Sequence, residues 1–119
     1  MKLSRKVDQP RPEIQQKLDR WNQALRESWA KKYSEANVER DAPHYEFTVG
    51  PKWIKVIYCP RGTRSSEAFV DPENGDVYKA ANWNKPAKGA RFNLLDEGSF
   101  ERMLAGVMKC PHGGYLYVR

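Results

Sequence analysis

One stretch in the second half of the chain combines cations with aromatic side chains, the two residue types that bind nucleic acids. Lys85, Lys88 and Arg91 follow one another at three-residue steps, so they can pair with successive phosphates. Trp83 precedes them and can stack on an unpaired base. Lys79 lies just before, on a predicted strand. This pattern predicts binding of DNA or RNA through the loop.

Two further groups of cations can extend such a surface if the fold brings them to the same side. Arg61 and Arg64 lie in an earlier predicted loop, and the arm formed by residues 1–11 contains Lys2, Arg5, Lys6 and Arg11. The whole chain has 21 Lys and Arg against 15 Asp and Glu, a formal net charge of +6. A polyanionic partner is therefore favoured, and its binding should weaken as salt is added.

A second interpretation of the same residues is a protein-binding module, such as an inhibitor of a host enzyme or a virion component. It would act through the same loop or through a long amphipathic helix near the N-terminus. A solvated basic loop with no specific partner also fits the pattern. The sequence leaves these alternatives open, together with the choice between DNA and RNA and the oligomeric state.

Four side chains are of the types that bind zinc: His44, Cys59, Cys110 and His112. Zinc ribbons and fingers contain close pairs of cysteines, whereas these two cysteines are far apart in the sequence. We therefore predict neither a metal site nor a cofactor. Whether the four residues meet in the fold is left open.

Catalytic motifs are missing from the sequence. A Cys–His pair would need an orienting group and an oxyanion pocket, and neither is marked. The acids Asp71, Glu73 and Asp76 surround a predicted tight turn, which explains them without acid–base catalysis or calcium binding. We predict that the chain is not an enzyme.

The elements that must position these residues begin with a helix whose first turn contains Pro12. The helix is predicted to end near Asn37, and its apolar residues recur at steps of three and four: Ile14, Leu18, Trp21, Leu25, Trp29 and Tyr33. A break at Asp41-Ala42-Pro43 follows.

Alternating patterns then predict strands, listed in order as 45–49, 53–59, 66–71 and 77–81, with a short strand or bridge at 92–95. Asn74-Gly75 supplies the turn of the second hairpin. Ser99 is predicted to cap a second, shorter helix, and the closing YLYVR is predicted to be a strand. The expected fold is α+β: a long N-terminal helix on a mostly antiparallel sheet of four to five strands, with a shorter helix near the C-terminus.

The segment from Phe69 to Leu94 resembles a group of small uncharacterised bacteriophage proteins. The shared pattern is G-D-V-Y-K-x-A-x-W-x-x-P-A-K-x-x-R, which covers Gly75 to Arg91, and those proteins also end in a Tyr-Leu-Arg-like tail. The matching positions are Gly75, Asp76, Val77, Tyr78, Lys79, Ala81, Trp83, Pro86, Ala87, Lys88 and Arg91. Here Val118 separates Tyr117 from Arg119, and the long helix is an addition to the pattern. The resemblance implies a phage protein and no particular activity.

The domain organisation expected from the length is a flexible basic arm at 1–11 and a single α+β domain at 12–119. The N-terminus lacks the apolar core of a signal peptide, and the two distant cysteines suit a reducing compartment. No apolar run is long enough to span a membrane. We expect a cytoplasmic protein in the host cell.

Overall fold

A computed structural model of the chain describes residues 10–117. Helix α1 (Pro12–Glu35) is followed by five strands, by helix α2 (Glu97–Lys109) and by a 3-10 turn (Gly114–Leu116). The strands are β1 (His44–Val49), β2 (Ile54–Cys59), β3 (Ser65–Val70), β4 (Asp76–Lys79) and β5 (Phe92–Asn93). They form one antiparallel meander in the order β1-β2-β3-β4-β5. The predicted α+β fold is confirmed.

The predicted apolar stripe of α1 is the main contact between helix and sheet. Ile14, Trp21 and Leu25 are completely buried, and they share one core with the inward-facing residues of the sheet. The helix ends where Asn37 takes a left-handed backbone conformation (φ 58°), which an asparagine adopts more readily than most residues. Helix α2 adds Met103 and Val107 to the same core. Both helices thus cover one face of the sheet, and we refer to this as the inner face.

Two predicted details were wrong. Helix α2 is capped by Asp96, whose Oδ1 accepts the Ser99 N–H at 3.0 Å, so Ser99 lies inside the first turn instead of capping it. After Gly113 (φ 100°), Gly114–Leu116 form the 3-10 turn where the sequence predicts a strand, and Val118 and Arg119 of that predicted strand lie outside the described residues. The reason is that its polar groups bond to other elements: Trp21 Nε1 donates to the Tyr115 hydroxyl at 3.1 Å, and Arg91 Nε to the Leu116 carbonyl at 2.7 Å.

The turn between β3 and β4 uses its acids as predicted. Asp71 Oδ1 accepts the backbone N–H of Glu73 at 2.8 Å, and the Asp71 carbonyl accepts the N–H of Gly75. Gly75 has a φ of 81°, a conformation that glycine adopts without strain. Asp71 therefore holds the hairpin together through its carboxylate and its carbonyl, which agrees with its assignment to turn chemistry.

A bulge in β3 places one carboxylate on the inner face. The pairing with β2 shifts between Val56 and Ile57, so Glu67 has no direct partner in the ladder. Its side chain turns toward the C-terminal segment, where its oxygens occupy the space that a side chain on Gly113 would need. Burial raises the pKa of Glu67 to about 7, although Lys79 opposes this shift. Among the described residues, Glu67 Oε2 has no hydrogen-bond partner.

The predicted arm can be described only in part, because residues 1–9 lie outside the described part of the chain and Lys2, Arg5 and Lys6 are among them. Arg11 is described, and it precedes α1 directly. Its guanidinium donates to the Glu73 carbonyl at 2.6 Å and lies 3.6 Å from the Glu13 carboxylate. Arg11 is therefore attached to the domain.

Candidate nucleic-acid interface

The face of the sheet opposite the helices carries a row of side chains across three strands. Lys55 pairs with Phe69, and Phe69 pairs with Tyr78, so all three project to the same side. Trp53 packs edge-on against both rings, with centroid distances of 6.0 Å to Phe69 and 5.5 Å to Tyr78. We call this side the outer face. Aromatic rings form it, as they do on sheets that stack unpaired bases.

A compact turn holds Trp83 beside this row. Asn82 Oδ1 accepts the backbone N–H groups of Asn84 and Lys85 at 2.9 and 3.0 Å, and Ser66 Oγ donates to the Trp83 carbonyl at 3.0 Å. The Ala81 N–H closes the turn on the Lys85 carbonyl at 2.8 Å. Trp83 is 42% exposed in spite of this framework. The turn is therefore already ordered while its large aromatic ring is open to solvent. A ligand that stacks on this ring would cost little further backbone entropy.

Three cations surround the two outer tryptophans. Lys55 Nζ lies 3.8 Å from the centre of the Trp83 ring, and the Arg64 guanidinium lies 5.8 Å from the same ring. Lys52 Nζ lies 5.8 Å from the Trp53 ring. Such cation–π contacts hold the charges next to the ring faces. We define the outer patch as Lys52, Trp53, Lys55, Arg64, Tyr78 and Trp83.

A groove of about 460 Å³ opens at one end of the outer patch. Its lining includes Gly50 and Pro51 from the turn between β1 and β2, together with Phe69 and Asn84. Trp53 and Lys55 also line it. A planar group that stacks on these rings would have a charged lysine and an amide side chain within reach.

Arg64 also contacts the end of β1. Its Nη2 lies 2.7 Å from Glu46 Oε1, and this hydrogen bond and charge hold the pKa of Glu46 below its ordinary value. Both side chains are substantially exposed. The pair therefore restrains the direction of the guanidinium without withdrawing it from solvent.

The predicted site residues separate into groups. Trp83 and Arg64 come together on the outer patch. Lys79 pairs with Ala68 on the inner face, where its Nζ lies 4.7 Å from the exposed Tyr117 ring. Arg61 lines a different hollow, beside Tyr33 and Arg40.

The remaining three cations of the loop also differ from one another. Arg91 is only partly exposed, and its guanidinium donates to the carbonyls of Leu116, Lys88 and Gly89 at 2.7, 2.8 and 2.5 Å. Lys85 and Lys88 are exposed. Arg91 thus joins the loop to the C-terminal segment, while the two lysines face solvent.

Four residues of the outer patch are not among the site residues that the sequence predicts: Lys52, Trp53, Lys55 and Tyr78. The alternation of residues along β2 contained the relevant signal. Ile54 and Val56 point inward, so Lys55 between them must point outward. The sequence pattern does not reveal how β2 and β3 are aligned, and this strand register places Lys55 opposite Phe69.

The four residues of zinc-binding type identified in the sequence do not all lie together in the fold. His44 and Cys59 are cross-strand partners, whereas His112 packs on Trp29 with ring centres 5.2 Å apart. In the part of the chain that the structure describes, the group with ligand atoms close together is His44, Glu46 and Cys59. Cys110 and Cys59 are both free thiols.

Helix α1 is the longest helix of the described residues, and neither it nor α2 is long and apolar enough to cross a lipid bilayer.

The fold and the outer patch define a small single-domain α+β protein with an aromatic, cationic sheet face. The sequence matches the family of unknown function DUF7717 over residues 4–118, and the chain belongs to that family. No curated protein and no solved structure matches the chain.

Proposed function

We propose that this chain binds single-stranded nucleic acid on the outer patch, as an accessory protein of a bacteriophage that acts in the cytoplasm of the host cell. One observation supports the binding above all others. A rigid turn exposes Trp83 while Lys55 Nζ lies 3.8 Å from its ring, so a stacking surface and a phosphate ligand are adjacent.

The chemistry of such a surface suits an unpaired strand. Successive bases stack on Trp83 and Trp53, and stacking on an aromatic side chain contributes about 1–3 kcal/mol per base. Lys52, Lys55 and Arg64 neutralise the neighbouring phosphates and release their counterions. In a duplex the faces of the bases are covered by their neighbours, so the tryptophans would contribute little. Single strands are therefore the preferred ligand.

Two further features support the proposal. The net charge of +6 favours the approach of a polyanion over the whole surface. The resemblance of 69–94 to small bacteriophage proteins supports the phage origin. Trp83 is among the matching residues, together with Pro86 at the end of its turn.

The alternative is a protein-binding module. Binding of a partner protein through the apolar face of α1 has little support, because Ile14, Trp21 and Leu25 are buried in the core. A version that uses the outer patch would require an acidic partner. The experiment below separates it from the proposed function.

The test is the binding of fluorescently labelled single-stranded oligonucleotides, DNA and RNA, followed by fluorescence anisotropy. We expect binding at about 50 mM salt that weakens steeply as salt is added. A duplex of the same length should bind more weakly. Absence of binding to both single strands at this salt concentration would overturn the proposal and leave the protein-binding alternative.

Matched variants locate the site. Trp83→Ala should weaken binding by roughly 5- to 150-fold, the loss of one stacked base. Tyr117→Ala removes an aromatic ring that is 62% exposed and lies outside the outer patch, so it should have no effect. Lys55→Ala should weaken binding and reduce the salt dependence, whereas Lys31→Ala on the exposed side of α1 should leave both unchanged. Equal effects of the two lysine variants would contradict a localised site.

A further inference from the structure

The ends of β1 and β2 bring together three side chains that bind metals. His44 and Cys59 are directly opposite in the ladder, and Glu46 follows His44 by two residues on the same face. One ligand atom from each lies within 4.8 Å of the other two. Side chains that alternate along strands have a fixed direction, so the fold itself positions this group. We propose that His44, Glu46 and Cys59 form a site for Zn²⁺.

The distances suit a tetrahedral ion after small side-chain rotations. Zinc binds imidazole nitrogen and carboxylate oxygen at about 2.0–2.2 Å and thiolate sulfur at about 2.3 Å, so its ligand atoms are about 3.3–3.8 Å apart. His44 Nε2 already lies 3.8 Å from Glu46 Oε2. The remaining distances are at most 4.8 Å, so they must shorten by up to about 1.5 Å, which rotation of the exposed His44 side chain and of the Glu46 side chain can supply.

The donor set indicates which metal is preferred. A nitrogen, an oxygen and a sulfur ligand suit zinc and its neighbours in the transition series, and they do not suit Mg²⁺ or Ca²⁺, which take oxygen ligands. Three protein ligands leave the fourth position to water. The His44 side chain is 67% exposed, so solvent reaches that position.

Arg64 is the one cation in contact with this group among the described residues. It occupies Glu46 Oε1 at 2.7 Å, and Oε2 is the oxygen that faces His44. The carboxylate can therefore keep Arg64 on one oxygen and bind the metal through the other, as carboxylates in metal sites often do. The positive charge of Arg64 lowers the affinity, so we expect a weaker site than a structural zinc centre with four ligands.

Both cysteines are free thiols, which supplies a matched control. Cys59 belongs to the proposed site, while Cys110 lies after α2, outside the group of close ligand atoms. A variant that lacks the Cys110 thiol therefore shows whether metal binding depends on any thiol of the protein or on Cys59 alone. It leaves the proposed site intact.

The test is a titration of the reduced protein with Co²⁺, which takes the place of zinc and reports its ligands by absorption. We expect a sulfur-to-cobalt charge-transfer band in the near ultraviolet that saturates at one metal per chain. Added Zn²⁺ should remove the band. A reductant without a thiol keeps the buffer from contributing sulfur.

Three variants decide the assignment. Cys59→Ser should abolish the band, and Cys110→Ser should keep it. His44→Ala, at an exposed position, should retain a band but weaken Zn²⁺ binding at least about tenfold, measured by competition with a chromophoric chelator. The His44 variant keeps the test decisive even if Cys59→Ser fails to fold. The proposal would be overturned if the wild-type protein showed no band or bound one metal per two chains. It would also be overturned if the band survived in Cys59→Ser or was lost in Cys110→Ser. Unchanged Zn²⁺ affinity in His44→Ala would contradict it as well. Because none of these readouts involves nucleic acid, failure of the proposed function would leave them unaffected.

Discussion

The two faces of the sheet use tryptophan in opposite ways. On the inner face, Trp21 and Trp29 donate their indole N–H groups to the hydroxyls of Tyr115 and Tyr45, at 3.1 and 3.0 Å. On the outer face, Trp53 and Trp83 have cations beside their rings. The inner pair is buried, whereas Trp83 is 42% exposed.

The comparison teaches that the partner of the indole, and not the residue type, separates a tryptophan that is part of the core from one that is open to solvent. A tyrosine hydroxyl satisfies the buried N–H and ties the ring to a second element. The Tyr45 hydroxyl continues this network by donating to the Pro111 carbonyl at 2.9 Å. A lysine above the ring leaves the N–H and much of the surface open to a ligand. The two faces should therefore respond differently to the same substitution.

The largest expected effect is on the inner face. Trp21→Ala should reduce the free energy of unfolding by about 3–5 kcal/mol, because it leaves a cavity in the core. It also removes the hydrogen-bond partner of Tyr115, which fixes the C-terminal segment. Urea unfolding followed by circular dichroism measures the change. Trp83→Ala should cost less than about 1 kcal/mol in the same experiment; equal losses would break the distinction between the faces.

The second effect concerns Glu67, the buried carboxylate on the inner face. Its pKa is raised to about 7 in the folded protein and is near 4.5 in the unfolded chain. The unfolded state therefore loses this proton first, and the contribution of Glu67 to stability decreases as pH rises from about 4.5 to 7. At 1.36 kcal/mol per pKa unit, the loss is about 3 kcal/mol.

The measurement is the free energy of unfolding of the wild-type protein and of Glu67→Gln at pH 5 and pH 8. Gln has no proton to lose, so the variant should gain in relative stability at pH 8. Burial raises the pKa values of the Tyr45, Tyr58 and Tyr115 hydroxyls near Glu67, so these hydroxyls stay protonated over this range. A difference between the proteins that is independent of pH would contradict the burial of Glu67.

The smallest effect separates two cations of the basic loop. Arg91→Gln should lower the free energy of unfolding by about 1–3 kcal/mol, since Arg91 donates three hydrogen bonds to carbonyls. Lys88→Gln, its exposed neighbour, should leave stability within about 0.5 kcal/mol. Thermal or urea unfolding checks both. If the two variants are equally stable, Arg91 does not fasten the loop to the C-terminal segment.

Much of the fold could be predicted because its signals are local. The three- and four-residue steps of α1 and the turn at Asn74-Gly75 each lie within a short window of sequence. The C-terminal strand was wrong because contacts from distant residues decide that segment. Trp21 and Arg91 bind Tyr115 and Leu116, which lie far along the chain.

The candidate site was predicted only in part for the same reason. Trp83 and Arg64 were recognised as an aromatic residue and a cation, but their proximity to Lys55 depends on the sheet register and the bulge in β3. The sequence groups Lys79 with the loop because it lies only four residues before Trp83. Its strand position turns it to the inner face. The pairing of His44 with Cys59 likewise follows from the register and from no sequence motif.

The most direct test of this account is an NMR titration of the ¹⁵N-labelled protein with a single-stranded oligonucleotide. The chain has four tryptophans, and each gives one indole N–H signal. We expect the signals of Trp53 and Trp83 to shift with the bound fraction, while those of Trp21 and Trp29 stay in place because their N–H groups bond to tyrosines in the core. Shifts confined to Trp21 and Trp29, or no shift of Trp83 at saturating oligonucleotide, would contradict the assignment of binding to the outer face.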